Sequence, residues 1–343
     1  MQSTPTKPPF YLGIDLGGTK ILAGVFDSQL KLIGTYKVST KASRGPSGVL
    51  GRILRCIEDA IDECDLKMNQ ISAIGIGAPG SVNSGKGVVN FAPNLGWRGI
   101  PLAGNLSKKL NAPVFLGNDC SVSMLGVYHV ELKSKPANAL GLFIGTGIGG
   151  GLVIGGEPYR GFTGCAGEIG HMVIDRSGPL CGCGNRGCFE ALASRNALFN
   201  SIRKAVEQGK KTQLHEILGR DLKDMRSGDL RKAIRRGDRL VNRLVREAAE
   251  AIGLAVSNLA NVLGPEVVIL GGGVIEALEH EMLPTIIRTA RKHAMPGALT
   301  GVEIKASVLG DHAGITGAAY LARAELQAHR SKAHNTLHSS GNA

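Results

Sequence analysis

Leu12-Gly-Ile-Asp-Leu-Gly-Gly-Thr-Lys20-Ile-Leu-Ala-Gly-Val-Phe26 reads as two strands joined by a glycine turn. Leu12, Ile14 and Leu16 alternate as in a strand, Gly17-Gly18-Thr19 reverses the chain, and Ile21 to Phe26 runs back. The arrangement returns at Leu140-Gly-Leu-Phe-Ile-Gly-Thr-Gly147, followed by Gly149-Gly-Gly-Leu-Val-Ile154. A strand–turn–strand unit that occurs twice predicts a duplicated architecture, two α/β halves facing each other. A crevice between such halves is a favoured place for a ligand.

Outward from that pair, Lys31–Val38 supplies a third strand, and Val49, Ile53, Ile57 and Ile61 carry helical spacing. Ile71–Ile76 and Val114–Leu116 read as strands, the latter followed by a helix from Ser121 to Glu131. In the second half a long helix over Asn242–Leu263 stops at Gly264-Pro265. A buried strand at Val267–Leu270, a helix after Gly273, a strand at Val302–Ser307 and a helix over Ala313–Leu326 complete the pattern. Little apolar content follows His329, so 329–343 is expected to be a disordered tail.

The chain has 343 residues, enough for about two domains, and is 43% hydrophobic and 20% charged, as in a globular protein. Its net charge of +12 is concentrated between Lys204 and Arg246 and after Arg323. No aromatic side chains are interleaved with those basic residues, so no single-strand nucleic-acid groove is expected and the charge reads as a solvated face. No segment has the apolar length to span a membrane, and Met1–Pro9 does not read as an export signal, which points to the cytoplasm.

Two glycine patterns are decoys. Gly145-Thr-Gly-Ile-Gly-Gly150 fits a dinucleotide fingerprint, but a strand follows where that fingerprint needs a helix. Gly80–Gly87 approaches a P-loop, but Gly87 stands where a hydroxyl should hold magnesium. The better reading is a hairpin turn whose backbone N–H groups face phosphate oxygens. Gly17, Gly18, Thr19 and Lys20 form one such turn, and Gly145, Thr146 and Gly147 form its counterpart. Gly271, Gly272 and Gly273 follow a buried strand, so a flat ring such as adenine can lie against the backbone there.

His171 precedes Cys181-Gly-Cys183-Gly-Asn-Arg-Gly-Cys188. Three thiolates and one imidazole complete a tetrahedral zinc site with no open position, so the expected zinc is structural. Cys56, Cys64, Cys120 and Cys165 read as ordinary small side chains. Asp119, between a short strand and a helix, is either a helix N-cap or an acid aimed into a crevice. Glu168 and Glu190 flank the zinc ligands and suit recognition of sugar hydroxyls, and Asn94 offers another amide contact.

Taken in order, Gly13-Ile-Asp-Leu-Gly-Gly-Thr-Lys20, Gly77-Ala-Pro-Gly80, Ala92-Pro-Asn-Leu-Gly-Trp97, Gly117-Asn-Asp119, Gly145-Thr-Gly-Ile-Gly149, Gly167-Glu-Ile-Gly-His171, Cys181–Glu190 and Leu270-Gly-Gly-Gly273 resemble the ROK family of sugar kinases and repressors, within the actin-like ATPase superfamily. The resemblance covers about residues 10 to 325. It implies two actin-like (ribonuclease H-like) α/β domains around a central cleft. The small one would span 1–118, completed by a helix at about 311–328, and the large one 119–310.

The resemblance also implies ATP-dependent phosphorylation of a hexose. Asp119 matches the catalytic base, and Asn94, Asn118, Glu168, His171 and Glu190 match sugar-binding positions, His171 serving zinc and sugar alike. Gly17, Gly18, Thr19, Lys20, Thr146 and Gly147 match phosphate-loop positions, with Asp15 near magnesium. The run Ala92–Trp97 looks most like the glucokinases, which makes glucose the expected sugar. N-acetylglucosamine, N-acetylmannosamine or fructose are the alternatives, and polyphosphate is a thinkable second donor. The repressor branch carries an N-terminal helix-turn-helix. With the first phosphate motif beginning at Gly13, a repressor is not expected. A homodimer or homotetramer is.

Overall fold

The computed structural model describes residues 9–219 and 221–339, with side chains through Ser331. The N-terminal stretch read as lacking an export signal, through residue 8, lies outside the described residues. The chain divides into two compact units. One comprises residues 1–133, 160–165 and 311–343, and the other 134–159 and 166–310.

Both units carry the same sheet. In the first unit the strand order is Leu32–Ser39, Lys20–Phe26, Phe10–Leu16, Ile71–Ala78, Val114–Asn118. The first three alternate in direction, each antiparallel to its neighbour, and the last two add to Phe10–Leu16 in parallel. In the second unit the order is Glu157–Pro158, Ile148–Ile154, Ala139–Ile144, Val267–Gly271, Glu303–Ala306, again three antiparallel strands and then two parallel additions. The duplication read from the two glycine-turn hairpins is therefore a duplication of whole sheets. A small third sheet, Ser81–Asn83, Val88–Ala92 and Trp97–Ile100, belongs to the first unit.

The central strands are buried on both faces, which explains their near-continuous apolar runs. In the first unit Leu12, Ile14 and Leu16 pack with Val49, Ile53 and Ile57 of the helix Gly45–Asp62. The opposite face meets the terminal helix, His312–Ser339. That helix lies so close that a Cβ on Gly13 would sit 1.9 Å from Ile315 O, and one on Gly75 would sit 1.8 Å from Ala318 O. Glycine is the residue that admits this approach. In the second unit Arg239–Leu263 packs on Gly273–His293 and on the sheet core around Leu140, Leu142 and Leu270. The long helix ends where Gly264 turns left-handed at φ 55°.

Three boundaries differ from the sequence reading. Asp119–Gly126 packs on the terminal helix, so residues 119–133 fall in the first unit and not in the second. That helix starts at Asp119 and passes into a π-turn over Val127–Glu131. The terminal helix continues to Ser339, across most of the expected disordered tail, while 340–343 lies outside the described residues. Among the described residues no helix is long and apolar enough to cross a membrane.

Candidate active site

In open α/β sheets ligands collect beyond the carboxyl ends of the parallel strands. In the first unit that edge brings Asp15 level with Gly77 and Ala78 level with Asn118. The chain leaves Leu16 into the turn Gly17-Gly18-Thr19, closed by Gly17 N–H donating to Lys20 O at 2.9 Å. A Cβ on Gly18 would lie 3.2 Å from Asn94 Cβ, so the turn abuts the Pro93–Leu95 loop and brings Asn94 to the same edge.

The carbonyls of this turn are tied back by one residue. Thr40, fully buried, donates its hydroxyl to Gly17 O at 2.7 Å and its N–H to Thr19 O at 2.9 Å. In a planar trans peptide the C=O and the following N–H point in opposite directions. Anchoring those two carbonyls therefore aims the N–H groups of Gly18 and Lys20 away from Thr40. Such a nest of backbone donors suits an anion.

The second unit repeats the device with different parts. Gly145 N–H donates to Gly147 O at 2.9 Å. The carbonyls of Gly145 and Thr146 accept from Arg195 N–H at 3.0 Å and Asn196 N–H at 3.4 Å, in the first turn of the helix Arg195–Glu207. Arg195 also donates its guanidinium to Thr146 Oγ1. The N–H groups of Thr146 and Gly147 consequently point away from that helix. On the same edge Gly272 has φ 87°, and a Cβ there would meet Ile144 O at 2.6 Å, so glycine is required at this strand-to-helix turn, with Gly271 buried and Gly273 exposed.

The sequence left Asp119 as either a cap or an acid. The cap is Asn118: its Oδ1 accepts from Ser121 N–H at 3.0 Å, and its Nδ2 donates to Gly80 O at 3.1 Å. Asp119 sits in the first helical turn, with Oδ1 accepting from Cys120 N–H at 2.8 Å. Lys20 forms an ion pair with Asp311, which Lys37 approaches at 3.5 Å. Burial pushes the Asp15 carboxyl up to about 6, against the pull of Lys20 and with a further push from Asp311. A half-buried carboxylate that resists ionisation alone is the kind of hard oxygen donor that a magnesium ion would relieve.

In the second unit His171, Cys181, Cys183 and Cys188 converge, all four ligand atoms within 4.8 Å of one another. Cys183 Sγ and Cys188 Sγ are 3.6 Å apart, and Cys181 Sγ is 3.7 Å from His171 Nδ1. A tetrahedron with Zn–S of about 2.3 Å and Zn–N of about 2.0 Å has edges of about 3.5–3.8 Å, so the residues fit the ion. Burial pushes the Cys181 and Cys188 thiols up, while the Asn185 N–H draws Cys183 down. Crowded thiols of this kind need a cation to become thiolates.

Glu190 links this cluster to the turn. Its Oε2 accepts from Ile148 N–H at 2.8 Å, and its Oε1 lies 4.0 Å from Cys181 Sγ. A carboxylate expected to hold sugar hydroxyls thus also braces the glycine turn. Burial pushes Glu168 up, His171 pulls it down, and Glu190 raises it further, so Glu168, His171 and Glu190 form one electrostatic group. Thr40 and Arg195 were not legible as site residues, because their partners lie 23 and 49 positions away in the chain.

The chain belongs to the ROK family, whose sequence profile matches residues 11–325. It is 34% identical to a glucokinase of Streptomyces coelicolor, over 91% of this chain and 97% of that one. It is 30% identical to an N-acetyl-D-glucosamine kinase of Vibrio cholerae, over 91% and 99%. The crystal structure of a ROK family glucokinase from Streptomyces griseus, in complex with glucose and AMPPNP, superposes with a TM-score of 0.81 at 32% identity, covering 92% of this chain and 99% of that one. The actin-like α/β fold with two domains implied by the motifs is the fold of this family and of this chain.

Proposed function

We propose that this chain is an ATP-dependent glucokinase of the cytoplasm, transferring the terminal phosphate of ATP to the 6-hydroxyl of glucose. The observation that carries the reading is an acid, Asp119, at the carboxyl edge of a sheet that also carries a tied-back glycine turn, with a second such turn in the other unit. The likeness to a glucose- and AMPPNP-bound kinase over nine-tenths of the chain supports it.

Asp119 accepts the proton of the 6-hydroxyl as its oxygen attacks the γ-phosphorus. Asn94, Asn118, Glu168, His171 and Glu190 bind the sugar's hydroxyls, and Gly271–Gly273 lie against adenine. The N–H groups that Thr40 and Arg195 turn outward hold phosphate oxygens, together with Thr19, Lys20 and Thr146. Phosphoryl transfer asks for little beyond such positioning and charge neutralisation. Magnesium held near Asp15 supplies neutralisation of the phosphate charge when bound. His171, Cys181, Cys183 and Cys188 would hold a structural zinc, which would supply rigidity; Glu168 and Glu190 would then be fixed before the sugar arrives, at a lower ordering cost of binding. The assembly is read as a homodimer or homotetramer.

Asp119→Asn tests the base directly. Turnover is expected to fall by about 10²- to 10⁴-fold, the usual worth of a general base, with glucose affinity by calorimetry little changed. Near-normal turnover would remove Asp119 from the mechanism. The Vibrio relative favours a second reading, an N-acetylglucosamine kinase with the same chemistry. That reading predicts a higher kcat/KM for the acetylated sugar.

A further inference from the structure

Arg195 stands where the second glycine turn meets the helix Arg195–Glu207. Its backbone N–H already anchors Gly145 O at 3.0 Å, so the turn is braced without the side chain. The guanidinium nonetheless reaches the same turn and donates to Thr146 Oγ1. It is half-buried. Among the described residues it pairs with no carboxylate, and the side-chain partner it has is a hydroxyl of the glycine turn itself.

Three physical points follow. A guanidinium keeps its charge at any ordinary pH and has five N–H donors on a rigid fork, of which the Thr146 contact uses one nitrogen. Withdrawing such a cation from water without a counter-ion is costly unless an anion takes the place of solvent. Thr146 Oγ1, by accepting from Arg195, keeps its own hydrogen for an acceptor elsewhere. The fork, that hydroxyl and the outward N–H groups of Thr146 and Gly147 are therefore all donors attached to one rigid turn, and among the described residues Thr146 Oγ1 is the fork's acceptor while no carboxylate pairs with it.

We infer that Arg195 grips the terminal phosphate of the nucleoside triphosphate and is a catalytic residue of the transfer, an inference that rests on the kinase reading above. In the step it serves, the 6-oxygen of the sugar bonds to the γ-phosphorus and the bond to the β–γ bridging oxygen breaks. The electron pair leaves on ADP, the hydroxyl proton goes to Asp119, and Arg195 exchanges no proton. Its fork neutralises the charge carried by the equatorial oxygens as the phosphoryl group moves. The neighbouring Ser194 hydroxyl caps Ala197 N–H at 3.1 Å and the Arg195 side chain caps nothing, so replacing that side chain leaves the helix start intact.

The experiment compares wild type, Arg195→Ala and Arg195→Lys. It measures kcat and KM for ATP and glucose, calorimetric affinity for AMPPNP and for ADP, and rescue by a few millimolar guanidinium chloride. Removal of one preorganised donor from a transferring group typically lowers kcat by about 10²- to 10³-fold. Arg195→Ala should show a loss of that order, with the glucose KM within twofold, AMPPNP binding weakened about tenfold and ADP binding unchanged. Arg195→Lys should fall in between, and guanidinium should restore part of the alanine variant's rate. A purely bracing role would instead weaken ADP and AMPPNP alike, with no rescue, and that result overturns the inference, as does a kcat within threefold of wild type. If wild type phosphorylates no sugar while AMPPNP binding still depends on Arg195 and ADP binding does not, the kinase reading fails and the phosphate grip stands.

Discussion

Thr40→Val separates the shape of Thr40 from its hydroxyl. Valine fills the same space, so the change leaves no cavity but takes away the donor to Gly17 O, a 2.7 Å bond made from a side chain with no exposed surface. Gly17 O is part-buried, so losing this partner costs about 1–2 kcal/mol, less than the penalty for a fully buried orphan. In a unit of this size that corresponds to about 2–4 °C in Tm per kcal/mol. The Thr40 N–H would still hold Thr19 O, so the turn should loosen at one end only. The consequence for function is specific: Gly18 N–H is no longer held outward, and the KM for ATP should rise several-fold while the KM for glucose stays put. Thr40→Ser keeps the hydroxyl and loses one methyl, about 1 kcal/mol, and should keep the ATP KM. Urea unfolding and initial rates on both variants provide the assay. If valine costs no more than serine and leaves the ATP KM unchanged, the idea that one buried hydroxyl aims the first phosphate turn is refuted.

Other outcomes follow from the same geometry. Asp15 has its folded pKa raised to about 6 from 3.8, so ionising it works against the fold above pH 6, and the penalty vanishes below about pH 4. In metal-free protein, Asp15→Asn should therefore raise stability at pH 8, by at most about 3 kcal/mol, and change nothing at pH 4. Equal effects at both values, read by denaturant melts, would contradict the burial argument. Cys183→Ser should lose bound zinc by elemental analysis and lower the melting temperature together, since metal binding is coupled to folding. Because Glu190 joins the cluster to Ile148 N–H, the same variant should also weaken nucleotide binding, which calorimetry with AMPPNP would detect.

The sheet architecture was legible because a glycine turn between two apolar strands is a local signal, and this chain writes it twice. The convergence of cysteines was legible for the same reason, three of them falling within Cys181–Cys188. What escaped the sequence is tertiary. Thr40 looks like any strand-end threonine until the fold brings it under Gly17, and Arg195 looks like a helix-start residue until Thr146 arrives beside it. Gly13 and Gly75 carry no turn signal. They are explained by a helix hundreds of residues away that leaves no room for a Cβ. The terminal helix outruns its apolar pattern because Ala, Glu, Gln, Arg and Lys after Leu321 favour helix without needing burial. The first unit takes in 119–133 because that segment's helix packs on the terminal helix, a partner the local pattern does not reveal.

Phosphorylation of glucose by ATP is the reaction proposed for this chain. ADP release by the purified protein with ATP and magnesium, measured across glucose, N-acetylglucosamine, N-acetylmannosamine and fructose, tests it most directly. Fast release with glucose and formation of glucose 6-phosphate is the expected result. Preference for an acetylated sugar would contradict the assignment of glucose but leave the chemistry in place, whereas no release with any of the four would contradict the kinase reading as a whole.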